Sequence, residues 1–541
     1  KRALQRHYAV AAAAAPASIA QLSLEPPLIT LSMGFPSAAQ DLVIENVSTK
    51  MRKFRGVGHM EGKGHTLFIV DEKSSKGMKL FKFYLWDFNL NEIANRKIEL
   101  EKRSFLIDET AHDKNNLLVF YDKKRNNVRA MTLDNQGEIV ADITENGIKT
   151  KFLAIEDMYP SFYPSGTDGF LGIVPDKEPK FGYHLTRYDN SLNRIWTADY
   201  FPSKGYSVVM DAVSDANKLV LLKYGAQSKL SKKYDIDITA FDNHTGKELW
   251  TFDLNLGDKT LYPTEITITK DGNIAVAGMY FDGVKVKGPN SDGIFFVHLN
   301  DDGTVLANVS QEWDGELQRF LKDSKNSITM GKPKVVFEDI LYDEIKKEFK
   351  VIGEIYTIGT FGKVMAMVSG SADDETKVSI EDLVVFSFKD NGELTDFYSV
   401  NKARTAIYIP TTYAGGPKIS QALKQTGSLP YAFSSKDENG NVIAFYKDFV
   451  KKDEDGSLTN QKIALGVGKR GIGMLNVSTS SAQETNLKYL PFSKKAANKD
   501  ESSDVEFDSK RSILIVAASE PGYVMVSELS KKTGQLRIFK Q

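Results

Sequence analysis

Short apolar runs alternate with polar turns along most of the chain. The runs are rich in β-branched and aromatic residues, as in residues 117–121, 294–297 and 513–516. Runs of this length and composition predict strands, and an unbroken apolar run predicts a strand that is buried on both faces. Helical periodicity is nearly absent, except that residues 313–325 predict a short amphipathic helix.

The turns between the apolar runs recur at a nearly regular interval. They are rich in Asp, Asn and Gly, the residue types that tight hairpin turns require. Five successive turns, spaced by 47, 55, 53 and 59 residues, are marked by Asp87, Asp134, Asp189, Asp242 and Asp301. One four-stranded propeller blade takes roughly 40–50 residues. The next interval is longer and contains the predicted helix.

This spacing predicts an all-β protein, a single β-propeller of seven or eight four-stranded blades over residues 40–541, with a short helical insertion near residues 313–325. The alternative is a pair of β-sandwiches with similar hairpins. A propeller closes by pairing a strand from one terminus with the blade of the other. Residues 41–48 and 534–541 are the candidates for that closure.

The first 39 residues have the order of a targeting signal. Lys1, Arg2 and Arg6 precede two apolar stretches, and small residues precede Gln40. This order predicts a signal or targeting segment over residues 1–39 and an exported protein, periplasmic or extracellular. An organellar transit peptide and a disordered tail are the alternatives. No later run reaches roughly 18 apolar residues, so no transmembrane span is predicted.

Composition and charge exclude several functional classes. Lys and Arg number 70 and Asp and Glu number 71, so the net charge is −1, and no nucleic-acid partner is predicted. The chain has no cysteine, which excludes disulfides, thiolate metal sites and cysteine nucleophiles.

No motif in the chain predicts a catalytic residue, a metal site or a cofactor. None of the seven histidines has a paired metal-ligand spacing. The glycines of residues 466–473 have dinucleotide-loop order, but no helix is predicted after them. The acidic segments 300–303 and 452–456 are interpreted as turns, with calcium loops as the alternative.

Residues 243–250, with Gly246 and Trp250, resemble the repeat of quinoprotein-type propellers and of the propeller scaffold in outer-membrane protein assembly. In that repeat a Trp stacks on the peptide plane of a neighbouring blade's Gly. Trp196 lies in a similar segment. The resemblance therefore implies a structural role for Trp196, Trp250 and Gly246, without a quinone cofactor. We expect Trp250 to be largely buried between blades.

An aromatic segment and the predicted helix are the candidate partner-binding surfaces. Tyr159, Phe162 and Tyr163 lie in a proline-containing loop, and Trp313 and Phe320 belong to the helical insertion. Aromatic side chains on rigid loops are typical of partner contacts. The alternative for the loop is that it packs between blades.

The absence of cysteine, the abundance of Lys, Asn and Asp, and the Ala39-Gln40 pair at the expected cleavage point resemble uncharacterised exported propellers of Bacteroidota. Some propellers of that group are accessory subunits of outer-membrane export machinery. The resemblance implies a non-catalytic scaffold that binds a protein partner in an envelope complex. The alternative is a carbohydrate-binding or carbohydrate-active propeller, which would need carboxylates that converge on the central channel.

Overall fold

The structure is a computed structural model of the chain. It describes residues 41–45, 54–60, 64–70, 77–87, 91–111, 115–122, 124–146, 160–166, 168–176, 182–226, 235–284, 291–315, 317, 334–358, 375–400, 402–410, 419–420, 423–424, 429–436, 440–452, 458–460, 469–478, 487–489, 513–518, 523–529 and 533–540. These residues form antiparallel sheets that are numbered below as blades in chain order.

Blades 1 to 4 are four-stranded, and their strands follow one another in sequence and in space. Blade 1 consists of β2 (Phe54–Met60), β3 (Gly64–Val70), β4 (Met78–Trp86) and β5 (Glu92–Glu101). Blade 2 consists of β6 (Ser104–Ala111), β7 (Asn115–Asp122), β8 (Asn127–Asp134) and β9 (Ile139–Asn146). Blade 3 consists of β10 (Ser161–Pro164), β11 (Gly169–Asp176), β12 (Gly182–Asp189) and β13 (Arg194–Tyr200). Blade 4 consists of β14 (Tyr206–Ser214), β15 (Lys218–Ala226), β16 (Asp235–Asp242) and β17 (Glu248–Asp253).

Blades 5 to 8 follow the same plan with additional strands in two of them. Blade 5 consists of β18 (Lys259–Ile268), β19 (Ile274–Asp282), β20 (Gly293–Leu299) and β21 (Val305–Glu312). Blade 6 consists of β22 (Lys334–Asp343), β23 (Glu348–Ile358), β24 (Glu375–Lys389) and β25 (Leu394–Val400), with β26 (Thr405–Pro410) also paired to β24. Blade 7 consists of β27 (Tyr431–Lys436), β28 (Val442–Lys452), β30 (Lys469–Asn476) and β31 (Leu487–Tyr489), with β29 (Leu458–Asn460) on β28. Blade 8 consists of β32 (Ile513–Ala518), β33 (Tyr523–Leu529), β34 (Thr533–Lys540) and β1 (Asp41–Glu45).

The eight sheets close into one ring. The innermost strands contact one another in blade order, from β2 through β6, β10, β14, β18, β22 and β27 to β32, and β32 contacts β2. The predicted propeller is therefore confirmed, with eight sheets among the described residues, and the alternative of two sandwiches is wrong. The turns are nearly evenly spaced along the sequence because each of them belongs to an equivalent blade.

The ring is closed by the predicted pairing of the two ends of the described chain. Strand β1 lies antiparallel to β34, with Val43 opposite Gln535. This pairing confirms closure by the two predicted end segments over residues 41–45 and 533–537, and residues 46–48 lie outside the described residues. Residues 1–40 lie outside the described residues, so the targeting segment predicted for residues 1–39 stays a prediction.

The apolar core lies between neighbouring blades. All eight residues of β7 and all seven of β20 are buried, as the unbroken apolar runs predicted. Aromatic rings join adjacent blades: the centroids of Phe81 and Phe120 are 5.9 Å apart, and those of Phe296 and Phe388 are stacked at 4.6 Å. Blade faces therefore supply both surfaces of each core layer.

The predicted helical insertion is not shown. Within residues 313–325 the structure describes a turn at residues 313–315 and the single residue Leu317, which has helical backbone conformation. The remaining residues of the segment, including Phe320, lie outside the described residues.

Candidate functional site

An acidic residue follows a β-bulge in four of the innermost strands. In β6, β14, β18 and β22 the register with the second strand shifts, and the first residue paired after the shift is an acid. These residues, here called the channel carboxylates, are Asp108, Asp211, Glu265 and Asp339. A bulge bends its strand and redirects the neighbouring side chain. The carboxylates of blades 4, 5 and 6 come close enough that Asp211 and Asp339 both raise the pKa of Glu265.

Several polar side chains of the innermost strands bind the innermost strand of the next blade. Asp108 Oδ2 accepts a hydrogen bond from the Phe162 backbone N–H at 2.6 Å. Thr264 Oγ1 accepts one from the Phe337 N–H at 3.2 Å. The Tyr431 hydroxyl lies 2.6 Å from Asp339 Oδ2, to which it donates. A hydrogen bond to a carboxylate is stronger than one between neutral groups. Asp108 and Asp339 therefore help to hold adjacent blades together.

Lys424 brings a positive charge to the channel carboxylates. It lies in the connection between β26 and β27, where Leu423 and Lys424 have helical backbone conformation. Its Nζ donates to the Thr264 carbonyl oxygen at 2.5 Å and forms an ion pair with Glu265. The two side chains of the ion pair are 16% and 15% exposed, so the pair is largely shielded from solvent.

Burial dominates the ionisation of this group of side chains. It raises the pKa of Glu265 to about 8, although Lys424 acts in the opposite direction. It raises the pKa of Asp339 to about 6, and that of Glu338 well above its usual range. Burial lowers the pKa of Lys424, but Glu265 and Glu338 outweigh this effect and leave it raised. Lys424 therefore stays charged, while Glu265, Glu338 and Asp339 keep their protons to a higher pH than ordinary carboxyl groups.

Glu109, next to Asp108, is a second buried acid of the innermost strands. Its Oε1 accepts long hydrogen bonds from Thr66 Oγ1 at 3.3 Å and Asn116 Nδ2 at 3.4 Å. Its Oε2 is buried and has no hydrogen-bond partner among the described residues. Burial raises the pKa of Glu109 to about 7 despite both hydrogen bonds.

A glycine turn of one blade packs against the outermost strand of the preceding blade. A Cβ at Gly246 would lie 2.6 Å from Cδ2 of Trp196, and a Cβ at Gly303 would lie 2.7 Å from Cδ2 of Trp250. The same geometry occurs without tryptophan at Gly137 and Gly392. In each case the residue in contact is the third of its outermost strand, apart from Val309, which also approaches Gly392. The contacts expected for Trp196, Trp250 and Gly246 are thus present.

Trp250 is partly buried between blades 4 and 5. It packs against the apolar core of these blades, and its Nε1 donates to the Asp301 carbonyl at 3.1 Å. Part of its ring stays exposed, because it lies on an outermost strand that has one unpaired edge in its described sheet.

In four of the Asp/Asn/Gly-rich hairpin turns, the backbone carbonyl of the second turn residue accepts a hydrogen bond from the preceding blade. This bond gives the turn a polar contact between blades. The pairs are Thr132 Oγ1 to Asn190 (3.0 Å), Trp196 Nε1 to Asn243 (2.9 Å), Trp250 Nε1 to Asp301 (3.1 Å) and His298 Nδ1 to Asp390 (2.9 Å).

The aromatic residues predicted to bind a partner are not exposed where the structure describes them. Phe162 and Tyr163 are buried in β10, an innermost strand, so their interpretation as an exposed loop is wrong. Trp313 is buried, and its Nε1 donates to Ser291 Oγ at 3.0 Å. These positions favour packing between blades. Tyr159 and Phe320 lie outside the described residues, and their binding role stays a prediction.

Exposed aliphatic side chains occupy one equivalent position in four consecutive blades. This position is the second residue of the outermost strand, directly before the residue that contacts the glycine turn of the next blade in blades 3 to 5. The set, here called the apolar rim, consists of Val140 (43% exposed), Ile195 (46%), Leu249 (50%) and Leu306 (45%). Ile139 and Val305, the first residues of β9 and β21, are exposed as well.

Neither the channel carboxylates nor the apolar rim was identified from the sequence. The acids had a signal, since each interrupts an otherwise apolar strand in the same blade position, as in residues 105–109 and 337–340. The rim had none, because an aliphatic residue in a strand reads as core.

Further observations concern metals, cofactors and membranes. The part of the chain that the structure describes contains no group of three or more His, Asp or Glu side chains that could hold a metal ion. Gly471 and Gly473 of the dinucleotide-like segment lie in strand β30, as the lack of a predicted helix indicated. Residues 300–303 form a hairpin turn, with the Gly303 N–H bonded to the Asn300 carbonyl. No described helix is long and apolar enough to cross a membrane.

A search of curated proteins found no match to this chain. Among solved structures it is similar to the Dos1 propeller, with 9% identity, a TM-score of 0.44, and coverage of 92% of this chain and 94% of that one. It is also similar to a europium-containing methanol dehydrogenase, with 10% identity, a TM-score of 0.40, and 93% of each chain covered. A quinohemoprotein alcohol dehydrogenase from Comamonas testosteroni matches with 10% identity and a TM-score of 0.40, over 94% of this chain and 76% of that one.

These likenesses are too distant to indicate an activity. A protein-family model gives a more direct relationship. It matches residues 23–487, which include most of the ring. The chain belongs to the family of unknown function DUF6770.

Proposed function

We propose that this chain is an exported, non-catalytic propeller that binds a protein partner through its apolar rim, as a scaffold or accessory subunit of an envelope complex. The observation that carries the proposal is the repeated exposure of Val140, Ile195, Leu249 and Leu306. Scattered exposed aliphatic residues are ordinary on a soluble protein, but a repeated row of them marks an interaction surface.

The position of the rim supports a protein partner. The outermost strands β9, β13, β17 and β21 are the last in their described sheets, so one edge of each is unpaired within its blade. Proteins usually protect such edges with charges or bulges. Here the exposed position carries Ile or Leu in blades 3 to 5, and a partner that covers it would remove apolar area from water.

The contacts between blades make the rim a rigid surface. Leu249 directly precedes Trp250, which contacts Gly303, two residues before Val305. Ile195 precedes Trp196 in the same way. Because each rim residue adjoins a contact with the next blade, a partner would meet a row whose spacing the ring itself sets. Little ordering of side chains would then oppose binding.

The test compares substitutions of exposed aliphatic residues inside and outside the rim. The rim variant combines Ile195→Ser, Leu249→Ser and Leu306→Ser. The control combines Val284→Ser and Ile345→Ser, which are 59% and 72% exposed outside the rim. Complete burial of an exposed aliphatic side chain contributes about 1.5–3 kcal/mol. The rim side chains are about half exposed, so each rim substitution should weaken binding by roughly three- to tenfold.

Crosslinking followed by affinity purification from the native envelope fraction measures the outcome. We expect a specific protein to be retained by the wild type and the control and lost by the rim variant, with all three equally folded. Equal capture by the rim variant and the control would contradict the rim as the binding surface, and absence of the protein from the envelope fraction would contradict export.

A carbohydrate-binding or carbohydrate-active propeller is the second candidate. Its support is the convergence of Asp211, Glu265 and Asp339, since glycoside hydrolysis uses paired carboxylates and a proton-carrying acid at neutral pH. Two contacts argue against an enzyme. Glu265 is already paired with the Lys424 ammonium, and Asp339 already accepts a hydrogen bond from the Tyr431 hydroxyl. Glycan hydrolysis by the wild type that disappears in Glu265→Gln would move the protein into the enzyme class.

A further inference from the structure

The surroundings of Lys424 contain more acidic side chains than basic ones. Its ammonium group contacts Thr264 and Glu265, and Asp211, Glu338 and Asp339 are close enough to act on its charge or to have theirs affected by it. These five residues are here called the ammonium pocket. Four of them are carboxylic acids, and the pocket residues reach Lys424 from three successive blades.

One acceptor of the pocket is buried and unused. Glu338 Oε1 has no contact with solvent and no hydrogen-bond partner among the described residues. Glu354 on β23 is a similar case outside the pocket: its Oε1 accepts the Tyr431 N–H at 3.2 Å and lies 3.3 Å from the buried Lys402 ammonium, but its Oε2 is also buried without a hydrogen-bond partner among the described residues. A buried carboxylate oxygen without a donor is costly, and a cation with several N–H groups is the ligand that would satisfy it.

The lysine that occupies the pocket is not part of a blade. It comes from the β26–β27 connection, which is anchored by the buried side chains of Ile419 and Leu423 and by a 3.1 Å hydrogen bond between Ser420 Oγ and the Tyr356 hydroxyl. From this connection the side chain of Lys424 reaches the Thr264 carbonyl oxygen and Glu265 on β18 of blade 5. Lys424 is thus a tethered ligand, and tethering gives it a high effective concentration at the pocket.

We propose that Asp211, Thr264, Glu265, Glu338 and Asp339 form a binding site for a primary ammonium group, and that Lys424 is its resident occupant. A primary ammonium has three N–H donors. Lys424 uses two of them, for the Thr264 carbonyl oxygen and for Glu265, and it has no hydrogen bond to Glu338 Oε1. The site accepts a free alkylammonium ion when the Lys424 side chain is removed. The inference does not depend on the rim or on any partner.

Chemical rescue of Lys424→Ala tests the site. The variant keeps Cβ and leaves the space of an aminopropyl group, which n-propylammonium matches in length. We expect the Tm of Lys424→Ala to fall below that of the wild type and to rise by about 2 °C or more with n-propylammonium chloride, because a ligand that binds only the folded state stabilises it. The wild type should show no comparable rise, because Lys424 already occupies the pocket.

Two controls separate a built site from a general effect of cations. Tetramethylammonium chloride at the same ionic strength has the charge but no N–H donor, and it should not rescue the variant. The double variant Lys424→Ala with Glu265→Gln should not respond to n-propylammonium. Lys389→Ala, which removes an exposed lysine paired with Glu393, should respond to neither salt.

Every outcome decides the proposal. Equal effects of the two salts on Lys424→Ala, or no effect of either, would overturn it, and so would a Lys424→Ala variant with wild-type Tm and no response. If Lys424→Ala does not fold, refolding from urea with each salt replaces the Tm measurement. Recovery in n-propylammonium alone supports the site, and recovery in neither contradicts it.

Discussion

At the scale of single residues, buried carboxyl groups have two different fates in this ring. Asp108 and Asp339 receive hydrogen bonds from the next blade, which offsets the loss of solvation. Glu109 receives only long hydrogen bonds on one oxygen, and its other oxygen is buried without a partner among the described residues. Its ionised form is therefore the poorly stabilised one, and burial raises its pKa to about 7.

We predict that Glu109→Gln makes the protein more stable at pH 8 and leaves stability nearly unchanged at pH 5. A carboxyl group with a raised folded-state pKa stabilises the fold when protonated, and this stabilisation is lost as the pH rises from about 4.5 through about 7. The shift corresponds to a difference on the order of 3 kcal/mol above pH 7. Urea unfolding at both pH values measures it.

The exposed carboxylate Glu92 provides the control. Glu92→Gln should change the free energy of unfolding by a similar small amount at pH 5 and pH 8. A stability difference between Glu109→Gln and the wild type that does not grow with pH would show that Glu109 is ionised at little cost.

At the scale of elements, β-bulges and hairpin turns determine which side chains lie on the innermost strands and how neighbouring blades contact each other. Bulges in the innermost strands place the channel carboxylates, and glycine turns receive the outermost strand of the preceding blade. At Gly303 the φ angle is +84°, and the Trp250 ring lies where a Cβ would stand. Two independent requirements, conformation and space, therefore select glycine there.

We predict that Gly303→Ala destabilises the protein clearly more than Gly257→Ala. Gly257 has a similar φ of +72°, but no atom lies within 4 Å of its Cβ position. Both substitutions cost about 1 kcal/mol of backbone strain, and only Gly303→Ala also displaces Trp250. We expect an additional cost of about 1–3 kcal/mol at Gly303, measured by urea unfolding.

The partner of this contact gives a second measurement. Trp250→Ala should cost about 2 kcal/mol, below the value for a fully buried aromatic residue, because Trp250 is half-buried. Leu249→Ala, one residue away and half exposed, should change stability by no more than about 0.5 kcal/mol. Equal costs at Gly303 and Gly257 would mean that Trp250 contributes little to blade packing.

At the scale of the whole molecule, stability depends on closure of the ring. Every innermost strand contacts two neighbours, and blade 8 joins the two ends of the described chain through β1 and β34. Without β1 the edge of β34 would be unpaired, and blade 8 would have three described strands. An exposed strand edge is a site of association between chains.

We predict that a chain that begins at residue 46 unfolds at a lower temperature and self-associates. Removal of Asp41–Glu45 deletes the whole β1–β34 ladder. Differential scanning calorimetry and size-exclusion chromatography measure the two effects. A matched truncation that begins at residue 41 removes residues 1–40, which lie outside the described residues, and keeps the whole ladder, so it should leave Tm unchanged. Equal Tm values for the two truncations would show that closure contributes little.

Local patterns were sufficient for the architecture of this protein. Strand type follows from apolar runs such as β7 and β20, the blade repeat from the turn spacing, and closure from the apolar end segments. The contact between Trp250 and a glycine of the next blade follows from the resemblance at residues 243–250. In each case the determining residues are neighbours in sequence, or recur at the interval of one blade.

The sites were decided by tertiary structure. Phe162 and Tyr163 form part of β10 and are buried, although the prolines around them resemble a loop in the sequence. Asp211, Glu265 and Lys424 are brought together by bulges in two strands and by a connection that begins after β26. The sequence by itself determined which segments become strands and how often blades repeat, because hydrogen bonding and alternation act locally. The meeting of distant acids with one lysine required the packing of successive blades, because only that packing brings the innermost strands β14, β18 and β22 side by side.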